Sequence, residues 1–452
     1  MRIKLSVPFT VKEIAEYIHG DVRAENAKIS SVTTDSRDAA AGDLFIAVND
    51  VACNFINDAR AIGCYTLAST DSADIFVRDI DTALLDIARY YISRLKNLKH
   101  TIGITGSVGK STTKEFTRLI MQQKYRTHAN IMNFNNALGV FHTVLSAPQD
   151  TEILICELGM NHAGEISKLS KALTPDIAVI TNIGSAHIGM LGSREKIANA
   201  KLEICDGMNG GAVFVDADEP LLKNAKGKRG VSRTDITADY YLKAKKGESC
   251  GSTFDFISDN LKIRDGFIGI CGDHYLSCLM FALSVSSYAG LSEKEIKSGL
   301  ELITSDVLRQ RIIKIGKYNI YDDTYSSSPE AVIAALRALS LHSSRFSCVL
   351  GDMLELGEEA QIFHELIGRE AARQGCVRLY AFGRYCNAVA DGASQGGMSD
   401  SQIYTNGDIL APQITVDQIK SSYGEELLLI KGSHAIHTER IIALLSQDDS
   451  GK

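Results

Sequence analysis

The amino-acid sequence predicts an α/β protein of three domains, and three observations support that prediction. Near-continuous apolar stretches of strand length alternate with helical patterns, which is typical of parallel sheets covered on both faces. The length of 452 residues exceeds what one hydrophobic core supports. A glycine-rich loop between an apolar strand and a helix indicates a phosphate-binding domain. We expect a small α/β substrate domain at 1–98, a central P-loop ATPase domain with a parallel sheet at 99–305, and a Rossmann-like α/β domain at 306–452.

Composition narrows the classes of function that the chain can serve. Its formal net charge is −7, whereas broad nucleic-acid binding needs a basic face, so we expect no nucleic-acid partner. No segment approaches the roughly 20 apolar residues of a transmembrane helix, and the apolar stretch at the N-terminus is too short for a signal peptide. Ten cysteines are scattered without a Cys-x-x-Cys pair, which is typical of buried free thiols. We therefore expect a soluble, cytoplasmic protein without stable membrane insertion.

The first domain contains short elements of both kinds. Thr10–Ile18 has the spacing of an amphipathic helix, and Gly42–Val48 has the pattern of a strand. The basic stretch Arg94–His100 has the composition of a solvated linker that leads into the central domain.

The central domain opens with the most informative segment of the chain. His100–Thr105 predicts a buried strand, and Lys114–Met121 has helical periodicity. Glycines between them let backbone N–H groups face phosphate oxygens, while a lysine adds charge and a serine hydroxyl can ligate Mg²⁺. Ile104 stands where the usual P-loop pattern has glycine, so an ordinary strand–turn–helix connection is the alternative. The predicted phosphate site comprises Thr105, Gly106, Ser107, Val108, Gly109, Lys110, Ser111 and Thr112.

Further strands follow in the central domain at Thr151–Glu157, Asp176–Thr181 and Gly211–Val215. Residues 235–270 then have a strand-and-turn pattern that indicates an antiparallel edge, and His274–Ala289 has the composition of a buried helix. The alternation of strands and helices predicts a parallel sheet with helices on both faces.

Glu157 is a candidate metal ligand because of where its strand ends. The carboxyl ends of strands in an open α/β sheet face the ligand crevice. A carboxylate at that edge can hold Mg²⁺ against the β- and γ-phosphates of a nucleotide. The alternative is that Glu157 caps a neighbouring helix.

The third domain repeats the alternation of strands and helices. Strands are expected near 318–323, 346–350, 378–382 and 426–431. Ser328 and Pro329 form a typical helix start, with serine as N-cap and proline at the first helical position. The end of the chain, 448–452, has the composition of a frayed tail.

Taken together, the motifs resemble those of the Mur ligases, and most closely the MurF type, over almost the whole chain. The segments that carry the resemblance are Thr105–Ser111, Asn133–Gly139, Glu157–Ile166, Thr181–His187, Leu350–Gly357 and Lys431–His434. The resemblance implies an ATP-dependent ligase that joins a carboxylate to an amine through an acyl phosphate. For the MurF type it implies UDP-MurNAc-tripeptide and D-Ala-D-Ala as substrates, in peptidoglycan synthesis.

The resemblance also implies the catalytic centre. Its catalytic residues would be Lys110, Glu157, His187 and Lys201. Ser111, Glu157, His187 and Lys201 would hold Mg²⁺, with two ions expected and Lys201 carbamylated. Without the resemblance, His187 would be taken as a structural histidine and Lys201 as a solvated helix lysine.

Further contacts follow from the same resemblance. His274 would lie beside the adenine, Arg311 would reach toward ATP and Asp323 would contact the ribose. Substrate contacts would come from Ser36, Arg37, Asn135 and Asn136, with 1–98 as the UDP-substrate domain. The alternative for Asn135 and Asn136 is a polar turn closed by glycine.

The sequence departs from the family pattern at Asn49–Phe55, Tyr275, Cys278, Ser326–Ser328 and His434. These departures leave open a second function. A MurF-like paralogue could form another amide bond in a different pathway. A P-loop binding or regulatory ATPase without ligase activity is the third hypothesis. The sequence leaves open whether the third residue of the acceptor peptide is meso-diaminopimelate or lysine, and we expect a monomer.

Overall fold

The computed structural model describes seven stretches of the chain, 1–130, 134–225, 227–245, 251–270, 272–304, 311–343 and 345–447, without the side chains of Arg311 and His342. Some sequence predictions fall outside these residues, namely Asn133, Cys250, Cys271, the 305/306 domain boundary and the 448–452 tail. The described residues form three sheets, which correspond to the three predicted α/β units.

The first sheet is mixed. Its strands are β1 Arg2–Thr10, β2 Asp21–Val22, β3 Lys28–Thr33, β4 Leu44–Ile46, β5 Tyr65–Ala68 and β6 Ile75–Phe76. The accompanying helices are α1 Val11–Tyr17, α2 Asp50–Cys53, α3 Ile56–Ile62 and α4 Ile80–Ser93. The strand order is β1-β3-β4-β5-β6-β2, with β1 and β2 antiparallel to their neighbours. The helix predicted at Thr10–Ile18 is α1, and it begins directly after Thr10 because Thr10 and Glu13 form a reciprocal capping box.

The second sheet has nine strands. They are β7 His100–Thr105, β8 Thr127–Ala129, β9 Ile153–Glu157, β10 Ile177–Ile180, β11 Ala212–Asp216, β12 Lys228–Ser232, β13 Tyr240–Ala244, β14 Ser252–Ser258 and β15 Lys262–Ile268. Its helices are α5 Lys110–Met121, α6 Ala137–Leu145, α7 Glu165–Leu173, α8 Ile188–Leu191, α9 Arg194–Leu202, α10 Asp273–Tyr288 and α11 Glu293–Leu300. The order is β15-β14-β13-β12-β11-β10-β7-β9-β8.

The topology of this sheet positions the site. The seven strands from β7 to β13 are all parallel to one another in the sheet. Strand β14 pairs antiparallel with β13 and with β15, as the pattern of residues 235–270 predicts. Strand β7 lies between β9 and β10, and all three end at the same edge. The chain runs from β7 through α5 to β8 on one side and from β9 through α7 to β10 on the other side of β7, so the strand order reverses here, and open α/β sheets bind ligands at such a point.

The third sheet is parallel except for its first strand. Its strands are β16 Arg311–Ile315, β17 Tyr318–Asp323, β18 Phe346–Gly351, β19 Cys376–Phe382, β20 Ile403–Asn406 and β21 Leu427–Lys431. Its helices are α12 Pro329–His342, α13 Ala360–Arg373, α14 Cys386–Gln395, α15 Pro412–Ser422 and α16 Glu439–Gln447. The order is β16-β17-β21-β18-β19-β20. Ser328 accepts from the Ala331 amide 3.3 Å away, which confirms the predicted helix start.

The hydrophobic cores bind the first two sheets together. One continuous core includes the buried side of the first sheet, α4, and the faces of α6 and α7 that cover the central sheet. A second core lies on the other face of the central sheet, under α5, α10 and α11. None of the helices in the described part of the chain has the length and hydropathy needed to cross a membrane.

Candidate active site

The loop after β7, which the sequence predicts to bind phosphate, is shaped by two glycines and a lysine. Gly109 has φ of 80°, a left-handed conformation that favours glycine. Gly106 also has positive φ, and a Cβ atom added there would lie 1.8 Å from Oγ1 of Thr181. The Nζ atom of Lys110 donates to the carbonyl of Gly106 at 2.9 Å, so the lysine is held over the loop. Burial lowers the pKa of Lys110, while the carboxylate of Glu157 opposes that shift.

Glu157 lies directly beside this loop. It ends β9 with 2% exposure, and its Oε2 accepts from Ser111 Oγ at 2.7 Å. Its Oε1 accepts from Asn135 Nδ2 at 2.9 Å. Its backbone N–H donates to Asn130 Oδ1 at 2.9 Å, which fixes the end of the strand. The described donors to this carboxylate are therefore the side chains of a serine in the first turn of α5 and of a loop asparagine, and no described helix N–H group donates to it.

The turn after β10 supports the other side of the loop. Thr181 Oγ1 and Asn182 Nδ2 both donate to the carbonyl of Val108, at 2.7 and 2.9 Å. The Val108 amide donates back to Asn182 Oδ1 at 3.0 Å. Gly184 N–H donates to Ser107 Oγ at 2.9 Å. The loop shape is thus set by a neighbouring strand as well as by its own glycines.

His187 lies at the end of the same turn, with φ of 67°. Its Nδ1 atom is 2.5 Å from Oε2 of Glu355, a residue of the third domain. The contact with His187 lowers the pKa of the Glu355 carboxyl. His187 therefore joins the central and third domains at the edge of the site.

Lys201 is buried, which corrects the solvated reading of its helix position. Its side chain is 1% exposed on α9 and does not line the cavity described below. Burial, and secondarily the charge of Lys110, lower the pKa of Lys201 well below the ordinary lysine value. We find no hydrogen bond or ion pair between its amine and a described residue, and burial without such a partner disfavours the charged form of an amine.

A cavity of about 840 Å³ opens between the central and third domains. Predicted site residues that line it are Ser107, Val108, Gly109, Lys110, Ser111, Thr112, Asn135, Glu157, His187, His274 and Asp323. Thr105 ends β7 and Gly106 begins the loop, and neither lines the cavity; Arg311 begins β16 with its side chain outside the described residues. The cavity is therefore lined from both domains around one phosphate loop.

The wall from the third domain is built around an ion pair. Asp323, 8% exposed, accepts from Nζ of Lys431 at 2.7 Å. The same amine donates to the carbonyl of Ser326 at 2.7 Å, which holds the loop after β17. On the central side the rings of His274 and Tyr275 lie 3.9 Å apart, and Cys278 Sγ is 3.6 Å from the Gly109 carbonyl.

The predicted substrate contacts of the first domain lie elsewhere. Ser36 and Arg37 belong to a 3₁₀ turn and do not line the cavity. The Arg37 guanidinium pairs with Asp35 at 2.6 Å and holds the pKa of that carboxyl far below its usual range. Asn136 Oδ1 accepts from the Gly139 amide at 2.9 Å and caps α6, whereas its neighbour Asn135 does reach the cavity.

Several residues of the site are absent from the predicted set. Ser185, Glu330, Glu355 and Lys431 take part in contacts between or within the domains that line the cavity. Glu330 directly follows Ser328 and Pro329, the residues that predict a helix start. That pattern places Glu330 in the first turn of a helix, and it was the only sign in the sequence that this residue has a fixed position. The other contacts join residues more than 100 positions apart, for which one sequence holds no pairing signal.

The site contains oxygen donors for a hard cation. In the described part of the chain, no group of three or more His, Cys, Asp or Glu side chains could hold a metal ion by itself. Ser111 and Glu157 nevertheless place a hydroxyl and a carboxylate 2.7 Å apart beside the phosphate loop. Mg²⁺ commonly takes one or two protein oxygens and completes its shell with phosphates and water, so these residues fit it.

Comparisons with known proteins agree with this arrangement. Residues 104–286 match the Mur ligase middle domain, and 309–434 match the Mur ligase, glutamate ligase domain. The UDP-N-acetylmuramoyl-tripeptide–D-alanyl-D-alanine ligase of Bacillus subtilis (strain 168) is 33% identical over 96% of this chain and 97% of its own length. The same-named ligase of Escherichia coli (strain K12) is 26% identical over 98% of this chain and 99% of its own length.

Solved structures show the same architecture. MurF from Acinetobacter baumannii has a TM-score of 0.84 at 26% identity, covering 98% of this chain and 100% of that chain. MurF ligase from Thermotoga maritima in complex with ADP has a TM-score of 0.76 at 25% identity, covering 93% of this chain and 97% of that chain. The similarity therefore extends over all three sheets.

Proposed function

The chain belongs to the Mur ligase family, and we propose that it joins D-alanyl-D-alanine to UDP-N-acetylmuramoyl-tripeptide with cleavage of ATP to ADP and phosphate. The observation that carries the proposal is the 2.7 Å contact of Ser111 with Glu157 beside Lys110, inside the cavity that the third domain closes. It provides the phosphate site of an ATP-dependent ligase next to space for an acceptor. We place the reaction in the cytoplasm and take the chain as a monomer.

ATP would bind with its β- and γ-phosphates on the loop after β7. The loop amides and the N-terminus of α5 favour an anion, and Lys110 can exchange its carbonyl partner at Gly106 for a phosphate oxygen. We assign the nucleoside end to His274, Asp323 and Arg311. Asp323 is suited to a ribose hydroxyl because it is a hydrogen-bond acceptor that the contact with Lys431 holds in place.

Metal binding is assigned to the oxygen donors described above. Ser111 and Glu157 would hold one Mg²⁺ ion, which when bound neutralises the charge that develops on the phosphates. His187 and Lys201 would hold a second ion once Lys201 carries a carbamate. The uncharged Lys201 amine can attack CO₂, form an N–C bond and release one proton, which turns a buried base into an anion.

The chemical steps need positioning more than covalent work by the protein. A carboxylate oxygen of the tripeptide attacks the γ-phosphorus, and the bond from that phosphorus to the β–γ bridging oxygen breaks to release ADP. The dipeptide nitrogen then attacks the acyl carbon, gives up its proton and expels phosphate. Lys110 would stabilise the transferring group electrostatically, and the cavity walls from the central and third domains would limit the access of water to the acyl phosphate.

We assign the UDP-linked substrate to the first domain and its junction with the central domain. Ser36 and Arg37 would contact it from the exposed 3₁₀ turn, and Asn135 would meet its peptide end beside Glu157. Asn136 would act indirectly: it caps α6 and so fixes the loop on which Asn135 lies.

Phosphate release tests the proposed function. The assay contains ATP, Mg²⁺, D-Ala-D-Ala and the tripeptide substrate with either meso-diaminopimelate or lysine, and one component is omitted at a time. We expect release only with all components and a UDP-pentapeptide product by mass. Release that needs a different amine would instead support the paralogue, and release without acceptor or amine would support the regulatory ATPase.

A further inference from the structure

A short segment of the central domain is held from two sides by the third domain. This segment, 184–189, follows β10 and includes His187, and we call it the gripped turn. Ser185 donates to Glu330 Oε1 from its backbone N at 2.7 Å and from its hydroxyl at 2.8 Å. Gly189 N–H donates to the Glu355 carbonyl at 3.0 Å. The two holding groups therefore come from the first turn of α12 and from the loop after β18.

The contact between Ser185 and Glu330 can hold the segment 184–189 in a fixed position. Ser185 is 5% exposed, so its two donors would lack partners if Glu330 were removed. Hydrogen bonds to a carboxylate are stronger than neutral ones, and two donors on one oxygen fix its position. Ser328 and Pro329 begin α12 immediately before Glu330, so the carboxylate stands on a defined helix start.

Glycine lets this anchor reach the phosphate loop. A Cβ atom on Gly184 would lie 3.0 Å from Glu330 Oε1 and 3.2 Å from Cβ of Ser107. Gly184 N–H also donates to Ser107 Oγ at 2.9 Å. A continuous line of contacts thus runs from the phosphate loop through two residues of the gripped turn to the third domain.

We propose that Glu330 is a positioning residue that couples the seating of the third domain to the geometry of the phosphate loop and of His187. It acts through the gripped turn and does not need to touch the reacting atoms. When the third domain seats, Oε1 fixes Ser185, and Ser185 in turn fixes Gly184 on one side and His187 on the other. The kinetic consequence rests on the proposed function, whereas the structural consequence does not.

The test combines hydrogen exchange of the gripped turn with steady-state kinetics on the full chain. In Glu330→Ala we expect amide exchange in 184–189 to rise roughly tenfold with Mg²⁺ and a non-hydrolysable ATP analogue bound, since two charge-assisted bonds are lost. We expect kcat to fall while the KM for D-Ala-D-Ala changes little, and the melting temperature to stay near that of the parent. Glu301→Gln, on an exposed position after α11, is the control for loss of a carboxylate.

Two further variants separate anchoring from general damage. Glu330→Gln keeps an acceptor oxygen, so it should recover most of the exchange protection that alanine loses. Ser185→Ala should add little in the Glu330→Ala background, because both changes remove the same contact. Exchange in 184–189 that is unchanged in Glu330→Ala, or additive effects of the two alanines, would overturn the proposal. If the parent shows no turnover, the exchange result still decides the coupling, and only the proposed function fails.

Discussion

At the scale of single residues, burial decides the chemistry of the site more than residue type does. Lys110 and Lys201 are both lysines with lowered pKa values, yet only Lys110 has backbone carbonyls as partners. Glu157 is as buried as Lys201 but accepts hydrogen bonds from Ser111 and Asn135. Hydrogen-bond donors offset the cost of burying a carboxylate, whereas burial without an acceptor lowers the pKa of an amine.

The burial of the Lys201 amine and its lowered pKa lead to a direct prediction. With ¹³C-labelled bicarbonate, the parent chain should show a carbamate carbon signal by NMR that is absent from Lys201→Arg. Lys196→Arg is the matched control, because Lys196 lies on the same helix and is exposed. A signal that persists in Lys201→Arg would place the carbamate elsewhere, and its absence from the parent would leave the second metal position without that ligand.

His142, a buried histidine where the first and central domains meet, should make the free energy of unfolding depend on pH. Burial, and secondarily the N-terminal amine, lower the pKa of His142 to about 4, and its Nε2 lies 3.5 Å from Thr34 Oγ1. The unfolded chain takes up this proton below its ordinary pKa of about 6.5, whereas the folded chain does not. The stability contributed by neutral His142 is therefore full above pH 6.5 and is lost as pH falls toward 4.

The corresponding measurement is the melting temperature of variants between pH 7.5 and 5. His142→Gln should lose less on acidification than the parent, while His437→Gln, at an exposed histidine, should follow the parent. Equal acid sensitivity in the parent and His142→Gln would show that other groups control the acid transition.

Among the helices and strands, those whose position follows from a local sequence pattern were predicted correctly. Strands β7 and β17 and the start of α12 at Ser328 lie where apolar runs and capping residues placed them. Short edge strands such as β8 and β20 were missed because three or four residues carry too little periodicity. Partners such as Ser185 with Glu330 were missed because they depend on how two separate sheets seat together.

The phosphate loop is the element in which packing and function coincide. In Gly106→Ala the new Cβ atom meets Thr181, so the loop must move away from the β10 turn. We expect ATP affinity to fall by at least tenfold by fluorescent-nucleotide titration, with a lower melting temperature. Gly290→Ala is the control, because Gly290 has φ of 78° and nothing within 4 Å, so it adds only backbone strain of about 1 kcal/mol. Equal ATP affinities in the two variants would refute a packing role for Gly106.

At the scale of the whole molecule, the three sheets are joined unequally. The first and central sheets share one continuous hydrophobic core through α4, α6 and α7. Between the central and third sheets the described contacts near the site include the polar contacts of Glu330 and Glu355 and the packing of Ile188 against the core of the third domain, around a cavity of about 840 Å³. An interface that combines polar contacts with a cavity separates more readily than a continuous apolar core, so the third domain is the unit expected to move.

This asymmetry predicts how the molecule responds to its ligands. Small-angle scattering of the free chain should give a larger radius of gyration than the seated structure, and Mg²⁺, a non-hydrolysable ATP analogue and the UDP-linked tripeptide together should bring it to the seated value. The shift is expected because the cavity proposed to hold these ligands has walls from both domains, and a ligand favours the state in which it has more contacts. ADP alone should compact the chain less, since it lacks the γ-phosphate and the acceptor. An unchanged radius of gyration under all conditions would mean that the third domain is already seated, and substrates would then have to enter without domain opening.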